Sequence, residues 1–492
     1  MKRDYLLAID QGTTSTRAML FDDAGRPKAA HAIALKQFYP GNGWVEHDAE
    51  EIWRAALACC RTVMGTRPIA AIGIANQRET TLIWDKATGR PMARAIVWQD
   101  RRTAARCAAL TAKGWDGKIA RKTGLLLDPY FSATKLEWHL KNVKGARAKA
   151  ARGEILFGTI DTWLVWKLTG GRVHATDVSN ASRTMLLNLK TLEWDAELLK
   201  LFGVPRAMLP EVRDSAGDFG VTEKKLLGKA IPILGVAGDQ QAASIGQACF
   251  VPGDVKSTYG TGCFVLVNTG AKITHSKNRL LATSLWRRGA AKQYAIEGSI
   301  FIAGAVVQWL RDALEVIAIA PAIEALAKTA MPAEGLYFVP AFTGLGAPYW
   351  KPDARAAILG LTRDAGKAEI ARAALDAVCY QTRDLLEAMA ADMRGSGLKR
   401  LTRLKVDGGM VEDNWFCQRL ADLTGLIVER PEVTETTALG AAYLAGLGAG
   451  IFKNTQDIAA HWALQRRFTP HMKRPERDRL YGGWRQAVAR VV

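Results

Sequence analysis

The sequence predicts an α/β protein assembled from two halves on one plan. Three observations carry that expectation. A strand–turn–strand unit opens the chain at residues 5–21 and recurs at residues 255–267, around Gly260-Thr261-Gly262. Residues 69–75 and 232–237 are apolar throughout, the pattern of strands buried on both faces of a sheet. Each of these runs ends in a polar cluster, Asn76-Gln77-Arg78-Glu79-Thr80 and Gly238-Asp239-Gln240-Gln241, at the strand end where open α/β sheets place ligands.

The first turn reads Asp10-Gln11-Gly12-Thr13-Thr14-Ser15-Thr16-Arg17. Gly12 offers the backbone freedom a tight turn uses. Hydroxyls, amide N–H groups and a guanidinium suit phosphate oxygens, and a carboxylate beside them suits Mg²⁺. The competing reading is a hairpin whose hydroxyls satisfy their own backbone. Residues 28–38 continue the sheet antiparallel. Asp48 caps a helix with Glu51 three residues on, and Ile52, Ala55, Ala56, Cys59 and Val63 share one face of it.

Arg78 and Glu79 offer a donor fork beside an acceptor, or else a surface ion pair. Strands at 81–84 and 95–98 bracket a turn at 85–89, and a helix runs to about Lys113. Trp98 reads as core, or as the wall of a site. Tyr130 enters a helix and either offers its hydroxyl to a ligand or packs. Residues 155–168 read as a strand and a short helix capped by Asp161. Asp239 opens an Ala-rich helix. The boundary between the halves falls near 245–254. Beyond the second turn lie a helix over 303–313, a glycine-rich loop within 337–350 and a long amphipathic helix over 367–393. Residues 403–406 form a strand delivering Asp407-Gly408-Gly409-Met410, whose adjacent glycines let an anion approach the next helix N-terminus. Residues 437–447 form a small-residue helix built for close packing, and residues 470–479 read as a solvated loop.

Composition narrows the function. The chain has 492 residues, 49% of them apolar, enough for about two to four domains. No run approaches the roughly 18 apolar residues of a membrane span, and the run before Asp10 is too short for a signal-peptide core. A cytoplasmic protein without stable membrane association is expected. Seven scattered cysteines without a CxxC read as buried thiols in a reducing compartment. The net charge of +19 is dispersed, and the densest basic patches, at 141–152 and 466–479, carry few aromatics, so no nucleic acid is expected as partner. Neither GxxxxGK[ST] nor a strand-linked GxGxxG occurs. What remains is two glycine-hydroxyl turns, a Gly-Gly strand end, and the carboxylates Asp10 and Asp239. Two carboxylates with separate partners can divide metal binding from proton acceptance in phosphoryl transfer.

These residues carry a resemblance. The chain is similar to the FGGY carbohydrate-kinase family, and within it to the glycerol-phosphorylating branch, through DQGTTSTRA (10–18), NQRETT (76–81), AIVWQDRRTA (95–104), DPYFSATK (128–135), TDVSNASRTML (176–186), GDQQAA (238–243), TYGTGCF (258–264) and VPAFTGLGAPYW (339–350). The matches run in order over nearly the whole chain. The resemblance implies two ribonuclease-H-like domains of the actin-like ATPase type, residues 1–248 and 249–492, with an active-site cleft between them. It implies ATP and Mg²⁺ as cofactors and phosphorylation of glycerol to sn-glycerol 3-phosphate. Glycerol would meet Arg78, Glu79, Tyr130, Asp239 and Gln240, covered by Trp98 and Phe264. Asp239 would be the general base, with Arg17 also catalytic, and Asp10 and Asp239 would face the metal. Thr13, Thr14, Ser15 and Arg17 would line the phosphates, and Thr261, Gly304, Gln308, Gly409, Met410 and Asn414 the nucleotide. A homodimer or homotetramer is the family expectation. Position 410 is Met where the family has a small residue, so that contact runs through backbone. Residues 222–231 lack the Gly-Gly-Thr-Arg run of members that bind fructose 1,6-bisphosphate, so that inhibitor is not expected. The segment before Glu476 also departs from the family's regulator-docking sequence.

Overall fold

A computed structural model describes residues 5–331, 335–394 and 401–492. In the first half, β1 (Tyr5–Gln11), β2 (Ser15–Phe21) and β3 (Pro27–Ala34) form an antiparallel meander, and β4 (Ile69–Asn76) and β5 (Ile233–Gly238) add in parallel on the other side of β1. The order is β3-β2-β1-β4-β5. Helices α1 (Ala49–Met64), α2 (Ser132–Asn142), α3 (Ile160–Leu168) and α4 (Val178–Ala181) precede β5, and α5 (Asp239–Gly246) leaves it directly.

The second half repeats the plan. β6 (Val255–Tyr259) and β7 (Cys263–Gly270) form the recurring hairpin, β8 (Leu281–Arg288) and β9 (Ala291–Ile300) extend it antiparallel, and β10 (Arg403–Asp407) joins β6 in parallel. β11 (Ile427–Pro431) and β12 (Leu464–Phe468) complete the order β8-β9-β7-β6-β10-β11-β12. Its central five strands, β9-β7-β6-β10-β11, match the first sheet in order and direction. Between the strands come α6 (Gly304–Asp312), α7 (Lys367–Met393), α8 (Asn414–Thr424), α9 (Thr436–Gly448) and, last, α10 (Arg474–Ala489). The fold is the two-domain α/β architecture that the sequence predicts.

Topology positions the site. β1, β4 and β5 are parallel neighbours, so Asp10, the Gln77–Glu79 corner and Asp239 emerge at one sheet edge. The antiparallel register sets Arg17 directly across from Asp10. In the second sheet, β6 and β10 deliver Gly260–Gly262 and Gly408–Met410 side by side. At Gly408, where φ is +91°, an added methyl would sit 2.4 Å from the Tyr259 carbonyl oxygen, so glycine is required. Gly409 faces open space.

The small-residue helix α9 lies in the second half of the sequence but packs on β1, β4 and β5 of the first, and on α5. Small residues make that crossing possible. A methyl added at Gly440 would meet the Ala242 carbonyl oxygen at 1.8 Å, and one at Gly73 the Ala441 carbonyl oxygen at 2.0 Å.

Several local expectations need correction. Gly12 is not in the left-handed region; its N–H closes the turn onto the Ser15 carbonyl at 2.9 Å. Asp48 caps α1 as expected, but Glu51 accepts from the Lys36 N–H instead of closing a capping box. Asp161 lies inside the first turn of α3, where it accepts from the Thr159 and Thr176 hydroxyls, because Thr159 occupies the cap position. Most of the 470–479 loop is helix: α10 starts at Arg474, with Pro475 in its first turn, a position proline suits. All seven cysteines are buried and free.

Candidate active site

The Arg78–Glu79 corner is neither exposed nor a self-contained ion pair. Both side chains are buried. Arg78 Nε meets Asp239 Oδ1 at 3.0 Å, and its Nη1 and Nη2 reach both oxygens of Glu297, the second at 3.1 Å. Nη1 also donates to Gln241 Oε1 at 3.3 Å. Glu79 pairs with Arg183 instead, Arg183 Nε to Oε1 at 2.6 Å, and Arg183 Nη2 reaches Glu297 Oε1 at 3.0 Å. Burial pushes the Glu79 carboxyl above the usual range, although Arg183 and Arg78 pull against it.

Glu79 holds φ at +60°, a conformation that non-glycine residues adopt at a cost. Three donors fix its carbonyl: the Thr81 hydroxyl at 2.9 Å, the Ser132 hydroxyl at 3.0 Å and Lys135 Nζ at 3.4 Å. Lys135 Nζ also holds the Tyr130 carbonyl at 2.6 Å, and burial pushes the Lys135 ammonium down to about 8. The strand end, the turn before α2 and α2 itself are thereby tied into one corner.

Aromatic rings pack beside it. Trp98 packs edge-on to Tyr130 at 5.5 Å and to Phe264 at 6.2 Å between centroids, and the Arg78 guanidinium lies 5.6 Å over Phe264. Trp98 is half-buried, and its indole donates to Thr13 Oγ1 at 2.9 Å. It therefore packs at the margin of the core, with one face open. Gln240 accepts from Lys256 Nζ, a buried ammonium on β6, so its carbonyl end is already occupied.

Asp10 and Asp239 face each other electrostatically. Burial, augmented by Asp239 and Glu435 and opposed by Arg17, pushes the Asp10 carboxyl up to about 7. Asp239 Oδ1 is ion-paired with Arg78 at 3.0 Å and accepts from the Gln240 N–H at 2.7 Å. Among the described residues no group of three or more His, Cys, Asp or Glu could enclose a metal. Two carboxylates that feel each other's charge suit Mg²⁺, which takes one or two protein carboxylates and completes its shell with water and phosphate oxygens.

Of the residues expected along the nucleotide, Thr261, Gly304 and Met410 come together at the second turn. The Gly304 N–H donates to the Gly260 carbonyl at 2.9 Å, and the Ala303 and Ala305 N–H groups to that of Thr261. A methyl at Gly304 would sit 2.7 Å from the Gly260 carbonyl oxygen and 3.6 Å from the Met410 side chain, which joins those three positions. Gln308 is exposed one turn along α6. Asn414 stands apart, its carbonyl accepting from Arg430 at 2.8 Å. At the first turn Thr14 is exposed and Thr13 and Ser15 half-buried, while Arg17 pairs with Glu435 just before α9.

Sequence reasoning missed Glu297, Arg183, Lys256 and Glu435. Glu297 had a signal: it is the one charged residue in the run Tyr294–Ile300 of its strand, where burial demands a partner.

Two halves built alike, each with a glycine-hydroxyl turn between its first two strands, match known proteins closely. The FGGY carbohydrate-kinase N-terminal-domain profile matches residues 5–246, and the C-terminal-domain profile residues 255–449. The chain belongs to the FGGY family of carbohydrate kinases. Glycerol kinase from Ectopseudomonas mendocina is 59% identical over 492 residues, covering 99% of each chain, as is glycerol kinase 1 from Pseudomonas aeruginosa. The crystal structure of Plasmodium falciparum glycerol kinase with ADP superposes with a TM-score of 0.92 at 35% identity, covering 100% of this chain and 98% of that one. Within the FGGY fold, the Arg78–Asp239 corner lies on the first sheet and the Thr261–Gly304 turn on the second.

Proposed function

We infer that this cleft transfers the γ-phosphoryl group of ATP to glycerol, giving sn-glycerol 3-phosphate and ADP. The observation that carries the reading is the corner itself. Arg78, ion-paired with Asp239 and next in the chain to Glu79, lies beneath the Phe264 ring, which packs edge-on to Trp98. Charged hydrogen-bonding groups on one side and rings on the other suit a short polyol, whose hydroxyls lie on one face and carbons on the other.

Asp239 acts as general base. Arg78 Nε and the Gln240 N–H hold Oδ1, leaving Oδ2 to take the proton of the attacking hydroxyl. As that oxygen bonds to the γ-phosphorus, the bond to the β–γ bridging oxygen breaks and ADP leaves. Thr13, Thr14, Ser15 and Arg17 line the phosphates from the first turn. Thr261, Gly304, Gln308, Gly409, Met410 and Asn414 line the nucleotide from the second half, where the Gly260–Gly262 turn and Gly409 expose backbone to an anion. Asp10, with Asp239, would hold Mg²⁺, which when bound neutralises charge on the phosphate oxygens. The division of labour is glycerol in residues 1–248 and nucleotide in residues 249–492.

A cytoplasmic enzyme fits the seven buried free thiols. Among the described residues no helix is long and apolar enough to cross a membrane. A homodimer or homotetramer acting without nucleic acid completes this reading, and sedimentation and low-salt nucleic-acid titration test it.

The experiment for the reaction is ADP release from Mg-ATP with glycerol, dihydroxyacetone, erythritol, xylulose, ribulose or no acceptor. Glycerol-preferring turnover with glycerol 3-phosphate as product is expected. Preference for a four- or five-carbon acceptor would overturn the assignment of glycerol, and slow release indifferent to acceptor would overturn phosphoryl transfer.

A further inference from the structure

We propose that Glu297, on β9 of the second half, is a positioning residue that sets the orientation and free donors of Arg78 for the polyol, without touching it. The proposal rests on the reading of the corner as the glycerol site.

The geometry is a buried chain of alternating charge, Asp239–Arg78–Glu297–Arg183–Glu79. Its two ends are the carboxylates assigned to the substrate. Its centre is the one member supplied by the second sheet. The side chains of Glu297 and Arg183 are fully buried. Burial alone would push the Glu297 carboxyl up, but Arg183 and Arg78 together hold it below the usual range, so it stays ionised between them.

A guanidinium has five N–H donors in a rigid plane. In Arg78 three donate hydrogen bonds, both Nη1 hydrogens to Glu297 and Gln241 and one Nη2 hydrogen to Glu297, while Nε lies 3.0 Å from Asp239 as an ion pair. One Nη2 hydrogen is left over for a ligand. The bidentate contact fixes the plane of the fork, and with it the point at which that last donor meets a hydroxyl. Glu297 also braces Arg183, which holds Glu79. One carboxylate thus orients both arginines that set the substrate groups. With glutamine at 297, two more Arg78 hydrogens lose their charged acceptor. The fork is then free to turn, and discrimination among acceptors loosens.

The test uses Glu297→Gln and Glu297→Asp in the full chain. The readouts are the KM for glycerol, the KM for Mg-ATP, kcat, the glycerol-to-erythritol ratio of kcat/KM, and glycerol binding followed by tryptophan fluorescence. In Glu297→Gln the glycerol KM should rise about tenfold or more, with the Mg-ATP KM within about threefold of wild type. The glycerol-to-erythritol ratio should fall. Glu297→Asp, which keeps the charge, should lie between wild type and Gln. A glycerol KM unchanged in Gln, or glycerol and Mg-ATP KM values rising together, overturns the proposal. If Gln fails to fold, Asp decides: a raised glycerol KM alone supports the proposal, and a native one overturns it. Wild-type protein that binds glycerol without phosphorylating it would sink the reaction assigned above. The Glu297 proposal would then be judged by the binding curves, with weaker glycerol binding in the variants supporting it and equal binding overturning it.

Discussion

Glu79 shows how one residue can carry both a cost and a purpose. Its φ of +60° is held by three hydrogen bonds to its carbonyl, and the strain sets its carboxylate in the corner beside Arg183. Nothing in the local sequence announces that strain; it comes from Ser132 and Lys135, some fifty residues on. Asp10 is the complementary case. Its place at the end of an apolar strand is plain in the sequence, but its nearness in charge to Asp239 is a product of the parallel pairing of β1, β4 and β5. Asp10→Asn should lower kcat by about 10²-fold or more through loss of metal-side charge, leaving the glycerol KM close to wild type. Steady-state kinetics at saturating Mg²⁺ checks this, and turnover within a few-fold of wild type would remove Asp10 from the metal assignment.

At the scale of elements, periodicity made α1 and α7 legible, and uniform apolarity made β4 and β5 legible. The partners of α9 were not legible. Its small residues signal close packing, but pattern alone cannot say that a helix from the second half would seal the first sheet. Gly440→Ala tests that seal. The methyl has no room beside the Ala242 carbonyl, so unfolding stability should fall by about 2 kcal/mol or more, measured by urea denaturation. The helix α10 was lost to a polar stretch for the opposite reason. Its charged first turn looks solvated, and its anchor is remote: Asp384 on α7 accepts from the Tyr481 hydroxyl at 2.6 Å and the Trp484 indole at 2.9 Å. Burial pushes the Asp384 carboxyl up to about 6. The folded state therefore binds more protons than the unfolded state between about pH 4 and pH 6, and this contribution to stability falls as pH rises through that window. Asp384→Asn removes it. The stability gap between wild type and variant should be about 1 kcal/mol wider at pH 5 than at pH 7, by urea midpoints at both. A gap independent of pH would contradict that assignment.

At the scale of the molecule, a five-stranded sheet and a seven-stranded sheet that repeats its order in the central five strands are joined through buried ion pairs such as Arg78–Glu297. Sequence reading found the first-half members of the corner because polar clusters end apolar strands. It missed Glu297 because its partners are distant in sequence, Arg78 across 219 residues and Arg183 across 114, and Lys256 because its strand, Val255–Tyr259, is mostly polar and gives no hint that the ammonium is buried against Gln240. The net charge of +19 fits attraction of anionic nucleotide as well as any other role. The central claim is that this cleft passes a phosphoryl group to glycerol with Asp239 taking the proton. The most direct measurement compares wild type and Asp239→Asn for glycerol 3-phosphate formation in a single turnover, with Mg-ATP binding measured on both. The account predicts rapid product formation by wild type, a fall of about 10²- to 10⁴-fold in the variant, and nucleotide binding retained. Near-normal product formation by Asp239→Asn would contradict it.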